Sequence, residues 1–301
     1  MSFSPLLQHW FRTTARQTVL DAAQNQLAAA GQPASANSPP GPCDFGLVFA
    51  LAIESGCLVD LLEDVSVTRG NGFTVREGRR NGRTIVLVES GAGREAAARA
   101  THALLDAHRP GLVFSAGFAG ALSPELRRGD LVVADRLVDP EGRRWAADPA
   151  SLPPWLPEVR GLRIGPMLTV DGIVRLGEEK RALGAKHHAL AVDMESLAVA
   201  EVCRERNVPF MAVRVVNDAV DDELPPDIER LLAQRTLAAQ LGAAAGSLCR
   251  RPSGAKDLFR LQQNALAASD RLAKFLAGVM KHVTTCSTPE TAAGADSTPP
   301  A

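Results

Sequence analysis

Short unbroken runs of apolar residues recur along this chain, separated by longer stretches where apolar positions return every three or four residues. The first kind suits strands buried on both faces, and the second suits helices. Apolar runs predict strands at 45–53, 111–115, 131–134, 163–170, 190–192 and 210–216. Segments 73–77 and 83–89 flank Arg79-Arg80-Asn81-Gly82, and Asn-Gly between two such segments predicts a hairpin. Helical spacing is read at 5–30, in a run ending at His108, at 177–186, from Ser196 onward, at 228–248 and at 258–283. Segment 139–158 is rich in Pro, Trp and charge; it is read as irregular and able to shape a lid.

Strands alternating with helices predict an α/β fold: a single three-layer α/β/α domain around a largely parallel sheet. Three segments are expected. Residues 1–43 hold an N-terminal helix and a linker, 31–42, rich in Gly, Pro, Ser and Ala. Residues 44–283 form the domain, and 284–301 a disordered Ser/Thr/Pro/Ala tail. The N-terminal helix is basic between Arg12 and Arg16. It is compatible with targeting or membrane contact, and equally with packing on the domain.

Composition narrows the function. The 301 residues are 46% hydrophobic and 22% charged, a normal globular balance. A formal net charge of -1 provides no general field for nucleic acid, and the absence of Tyr with 4% aromatics disfavours base-stacking platforms. The five cysteines are scattered, with no Cys-x-x-Cys pair, which reads as reduced thiols and a cytoplasmic setting. His187 and His188 are adjacent and would point apart on a helix, so no metal site is expected.

The candidate chemistry lies just past the apolar runs. Glu54, the Gly91 and Gly117 turns, Asp193 with Glu195, and Asp218 all follow predicted strands. In open α/β sheets such ends converge on a ligand-binding rim. Taken singly, each has a plainer reading: Asp193 as a helix cap, Glu195 as a first-turn acid, Glu54 as a loop residue. Gly91-x-Gly93-x-x-Ala96 is a partial dinucleotide fingerprint, but the next strand ends in no acid to hold a ribose, so a nicotinamide cofactor is not expected. Met194 between two acids offers a soft apolar surface beside strong acceptors, suited to a flat base carrying a sugar.

Several of these stretches together resemble the nucleoside phosphorylase and nucleosidase family, particularly bacterial 5′-methylthioadenosine/S-adenosylhomocysteine nucleosidases. They are Gly46-Leu-Val-Phe-Ala-Leu-Ala-Ile-Glu54, Ser90-Gly-Ala-Gly-Arg94, Ser115-Ala-Gly-Phe-Ala-Gly-Ala-Leu122, Val192-Asp-Met-Glu-Ser196 and Val213-Arg-Val-Val-Asn-Asp218. The resemblance covers about 44–222. It implies a mixed, partly closed sheet, a homo-oligomer, no cofactor, and release of adenine from a 5′-substituted adenosine. It also implies roles. Asp218 would protonate the departing purine and Glu54 would activate water. Glu195 would accept bonds from the ribose hydroxyls, and Met194 would pack on sugar and base. Gly91, Ser115, Gly117, Phe118, Ile173 and Asp193 would line the pocket and bind the substrate.

The sequence departs from the pattern at Asn217, where a serine usually precedes the acid, and at Ile173, where many nucleosidases place an aromatic residue. Ser115 and Phe118 stand where purine phosphorylases carry groups for phosphate, which favours water as nucleophile; Arg94 and Arg214 are the residues that would serve phosphorolysis instead. Segment 213–226 resembles hopanoid-associated members linked to removing adenine from adenosylhopane. On that reading the N-terminal helix, Trp145 and Trp155 would face a greasy substituent. A catalytically silent nucleoside sensor is the non-enzyme alternative.

Overall fold

The computed structural model describes residues 41–70, 72–148, 152–224 and 254–283, with side chains of the last segment from residue 263. The chain divides into two compact units, 1–39 and 40–301; the first lies outside the described residues, as do the predicted helix at 228–248 and the tail from 284. The second unit opens with β1 (Gly41–Phe49), α1 (Ala52–Val59), β2 (Glu63–Gly70), β3 (Phe73–Arg80), β4 (Arg83–Glu89) and α2 (Arg94–Ala107). It continues through β5 (His108–Ala121), β6 (Leu131–Val138), β7 (Arg144–Ala146), β8 (Leu162–Thr169) and α3 (Gly177–His187). The remaining elements are β9 (Ala191–Asp193), α4 (Ser196–Glu205), β10 (Phe210–Asp218) and α5 (Gly254–His282).

The strands form one mixed sheet in the order β10-β6-β8-β9-β5-β1-β4-β3-β2, and β10 pairs with β5 as well. Strands β5, β10, β6, β8 and β9 therefore close on themselves, while β1 to β2 extend as an open wing. This is the partly closed sheet that the resemblance implied. The period-two alternation of strands divides the core. Phe45, Leu47 and Phe49 of β1 pack with Leu58 of α1 and Leu272, Leu276 and Val279 of α5. Val48, Val86 and Val88 face the other way, onto Ala97, Ala100 and Leu104 of α2 and Val199 and Cys203 of α4. Each fully buried large apolar side chain contributes about 1.5–3 kcal/mol. Helices on both faces of the sheet make the three layers.

Local chemistry explains the boundaries. Asn81 and Gly82 both have positive φ, 51° and 75°, as a two-residue hairpin turn between β3 and β4 requires. His188 ends α3 in the left-handed region at φ 50°, which accounts for one of the paired histidines.

Three expectations need correction, and one strand goes unread in the sequence. Glu54 is not a loop residue but lies in the first turn of α1. Gly117 and Gly120 are not in a turn; β5 runs straight through them to Ala121, because β10 pairs with it along that stretch. The strand β2 is not predicted by the apolar pattern, since all its residues are exposed and it carries no buried stripe to read. Segment 139–158 is less irregular than expected, since β7 pairs with β6 within it.

Candidate active site

The parallel register of β10 on β5 builds the centre of the site. Arg214 lies opposite Gly117, and Asp218 opposite Gly120. Side chains are absent on β5 where charged ones stand on β10. An ideal Cβ on Gly117 would lie 2.7 Å from Glu54 Oε1 and 2.8 Å from Arg214 Nη1; one on Gly120 would lie 3.0 Å from Asp218 Oδ2. At roughly 3.3 Å per residue, these glycines are spaced about 10 Å along the strand, and each has a carboxyl group against it.

Glu54 is buried. Its Oε2 accepts the Leu51 N–H at 2.8 Å and its Oε1 the Phe118 N–H at 2.9 Å. Burial raises its carboxyl above the ordinary range, against the opposing pull of the Arg214 cation and the backbone donors. Glu195 precedes α4, and its Oε1 accepts the Gly93 N–H at 2.8 Å. Gly93 reaches it from a backbone at φ 98°, a region favouring glycine. Burial, partly offset by Arg214 and reinforced by Asp193 and Glu54, pushes the Glu195 carboxyl up to about 7.

Arg214 is 2% exposed and ties the acids together. Its Nε donates to Asp193 Oδ2 at 2.7 Å, its Nη2 donates to Ser115 Oγ at 3.1 Å, and Nη2 lies 3.6 Å from Glu195 Oε2. Asp193 also accepts the Thr169 hydroxyl at 2.7 Å and the Ser196 N–H at 3.1 Å. It thus serves the start of α4 much as a cap would, while holding the cation.

Asp218 closes β10 and is buried; burial raises its carboxyl above the ordinary range, and the Lys180 ammonium opposes that shift. Lys180 Nζ lies 2.5 Å from Asp218 Oδ2. Sequence reasoning misses Lys180, because lysines are rarely buried.

Glu54, Phe118, Ile173, Asp193, Met194, Glu195 and Asp218 line one pocket, together with Asn217, Leu224 and the aliphatic Val170, Val174 and Val192. Gly91, Ser115 and Gly117 are not on its wall. The Ser115 hydroxyl is 3.3 Å from that of Ser196 and is used by Arg214. Gly91 bonds back to Ala50, and its neighbour Ala92 faces the pocket. Asn217 Oδ1 is buried without a hydrogen-bond partner among the described residues. Trp145 instead packs edge-on against Phe210, with ring centroids 5.0 Å apart, and Trp155 against His282 at 5.7 Å. Neither tryptophan lines the pocket. Apolar walls with buried carboxyl groups at separate points fit a flat base on a hydroxylated sugar, and provide both a proton donor and a base.

Known proteins share this fold. The sequence profile of the phosphorylase superfamily matches residues 44–248. A 5′-methylthioadenosine/S-adenosylhomocysteine nucleosidase of Haemophilus influenzae (strain PittEE) is 31% identical over 209 residues, covering 62% of this chain and 91% of the relative. The fold matches that of the Helicobacter pylori 5′-methylthioadenosine/S-adenosylhomocysteine nucleosidase complexed with a substituted pyrrolidin-3-ol, with TM-score 0.63 at 20% identity, over 81% of this chain and 100% of the other. It also matches the futalosine hydrolase of Helicobacter pylori, with TM-score 0.62 at 20% identity, over 80% and 98%. With a profile that spans most of its described domain and a nucleosidase relative aligned along nearly its whole length, the chain belongs to the phosphorylase superfamily.

Proposed function

We propose that this protein is a purine nucleosidase that hydrolyses the N-glycosidic bond of a 5′-substituted adenosine, of the methylthioadenosine or adenosylhomocysteine type, and releases adenine. The observation that carries the reading is the placement of Glu54 and Asp218 on one pocket, each buried and each against a different glycine of β5. Asp218 gives a proton to purine N7 as the C1′–N9 electron pair moves onto the base. The sugar passes through an oxocarbenium-like state, as in glycoside hydrolysis. Glu54 takes a proton from the water that adds to C1′. Glu195 accepts hydrogen bonds from the ribose hydroxyls, which strengthen as positive charge develops. Met194, Phe118 and Ile173 hold base and sugar by contact.

Water is favoured over phosphate as the nucleophile because both candidate arginines are already engaged. Arg214 is bound to Asp193 and Ser115; Arg94 is paired with Asp139 at 2.8 Å and Asp171 at 2.6 Å and donates to the Thr169 carbonyl. The adenosylhopane reading loses support from Trp145 and Trp155, which pack elsewhere. A homo-oligomeric state and a cytoplasmic setting belong to the same proposal. No helix among the described residues is long and apolar enough to cross a membrane.

The test is to incubate the protein with 5′-methylthioadenosine, with and without phosphate, and to identify the products by chromatography. Adenine and free methylthioribose in both conditions are expected. A sugar 1-phosphate formed only with phosphate would make it a phosphorylase, and no adenine at all would leave a binding protein.

A further inference from the structure

Helix α3 carries a charged group where none is expected. Lys180 is fully buried, and its ammonium makes three contacts: Asp218 Oδ2 at 2.5 Å, the Asp222 carbonyl at 2.8 Å and the Ala219 carbonyl at 3.1 Å. Glycines on the same helix face let it approach. A Cβ on Gly177 would lie 2.9 Å from the Val220 carbonyl oxygen, and one on Gly184 2.6 Å from that of Leu122. Positions 177, 180 and 184 share one face at the spacing of an α-helix. The face is thus flat enough to lie against backbone, and the long side chain between the two glycines reaches the end of β10.

We infer that Lys180 is a positioning residue for the glycosidic cleavage proposed above: by binding Oδ2 of Asp218 it leaves Oδ1 as the oxygen that delivers the proton to the leaving purine. The inference rests on that reading of Asp218. Oδ1–H passes its proton to N7, the C1′–N9 pair goes to the base, and adenine departs neutral. The carboxylate left behind is paired with the Lys180 ammonium, which keeps its own protons throughout. Lys180 also ties the carbonyls of Ala219 and Asp222 to α3, and so fixes the loop that brings Leu224 to the pocket wall.

The charges facing Asp218 are Lys180 from α3 and, from the neighbouring loops, Asp222 and Arg128, themselves paired at 2.8 Å. Burial and Asp222 favour the protonated carboxyl; Lys180 and Arg128 favour the carboxylate. Without Lys180 the buried group would hold its proton more firmly and be a weaker acid.

The test compares the full-length protein with Lys180→Met and Lys180→Gln, the second retaining an N–H donor without the charge. Adenine release from 5′-methylthioadenosine is followed across pH, with thermal melting as the check on folding. Both variants should lose about 10- to 100-fold in kcat, with a smaller change in KM. The high-pH limb of kcat should move upward by roughly one unit, because the acid stays loaded longer. Folded variants with unchanged kcat, or with lower kcat and an unmoved limb, would overturn the inference. If neither variant folds, Lys180 is a structural strut and the inference is equally overturned. Absence of adenine release by the unaltered protein would instead remove the nucleosidase reading, and the role of Lys180 with it.

Discussion

Gly117 of β5 and Glu54 of α1 meet in close approach: a methyl group on Gly117 would lie 2.7 Å from the Glu54 carboxylate and 2.8 Å from Arg214. The glycine is therefore required by close approach, not by backbone torsion. Gly117→Ala should fold, because β5 continues through this position, but it should push Glu54 from its place. A misplacement of about 1 Å costs about 100-fold in rate. The check is kcat for adenine release alongside an unchanged circular dichroism spectrum.

Removing the two proposed reacting carboxyls separates their duties. Asp218→Asn leaves no proton for N7, and Glu54→Gln leaves no base for water. Each should lower kcat by about 10²- to 10⁴-fold, in the range for general acid–base groups. KM should move much less. Undiminished turnover by either variant would remove that residue from the mechanism.

Arg214 is the buried cation among Asp193, Glu195 and Glu54. Arg214→Met would leave those carboxyls without their counter-charge. Loss of one partner from a buried pair destabilises by about 3–5 kcal/mol. A fall in melting temperature of roughly 10 °C is expected for a domain of this size. A melting temperature within a degree or two of the unaltered protein would show that the acids do not depend on this cation.

Glu195 makes stability depend on pH. A solvated glutamate, as in the unfolded chain, titrates near 4.5, and the fold pushes this one up to about 7. Between those values the folded protein binds more protons than the unfolded chain, so its contribution falls as pH rises through the window. Glu195→Gln removes that slope. The melting temperature of the variant, relative to the unaltered protein, should climb between about pH 4.5 and 7 and level off above. A constant difference across that range would contradict the raised carboxyl.

Much of this fold is legible locally. The unbroken apolar run at 45–53 announces β1, although the strand ends at Phe49 and Ala52 already opens α1; Asn81-Gly82 announces the hairpin of β3 and β4, and Val192-Asp-Met-Glu-Ser196 announces a strand-to-helix joint, because period and turn chemistry are properties of a few adjacent residues. The edge strand β2 is silent for the same reason reversed: with both faces exposed it has no pattern to show. Glu54 reads as a loop residue in sequence because its burial depends on Phe118, 64 residues away. Gly117 and Gly120 look like turn residues, and only the pairing of β10 with β5 makes them strand positions that leave room for charge. Ser115 is expected at the pocket, yet the register puts it behind the wall beside Arg214.

Contiguous residues are enough to dictate the alternation of elements, the family likeness and the identity of the acids at the strand ends. Long-range packing settles the rest: which acids face the pocket, which are bound to Arg214, and that Lys180 reaches Asp218 across 38 positions. Charge partnership and desolvation depend on what the folded chain brings within a few ångströms, and no local pattern encodes that distance.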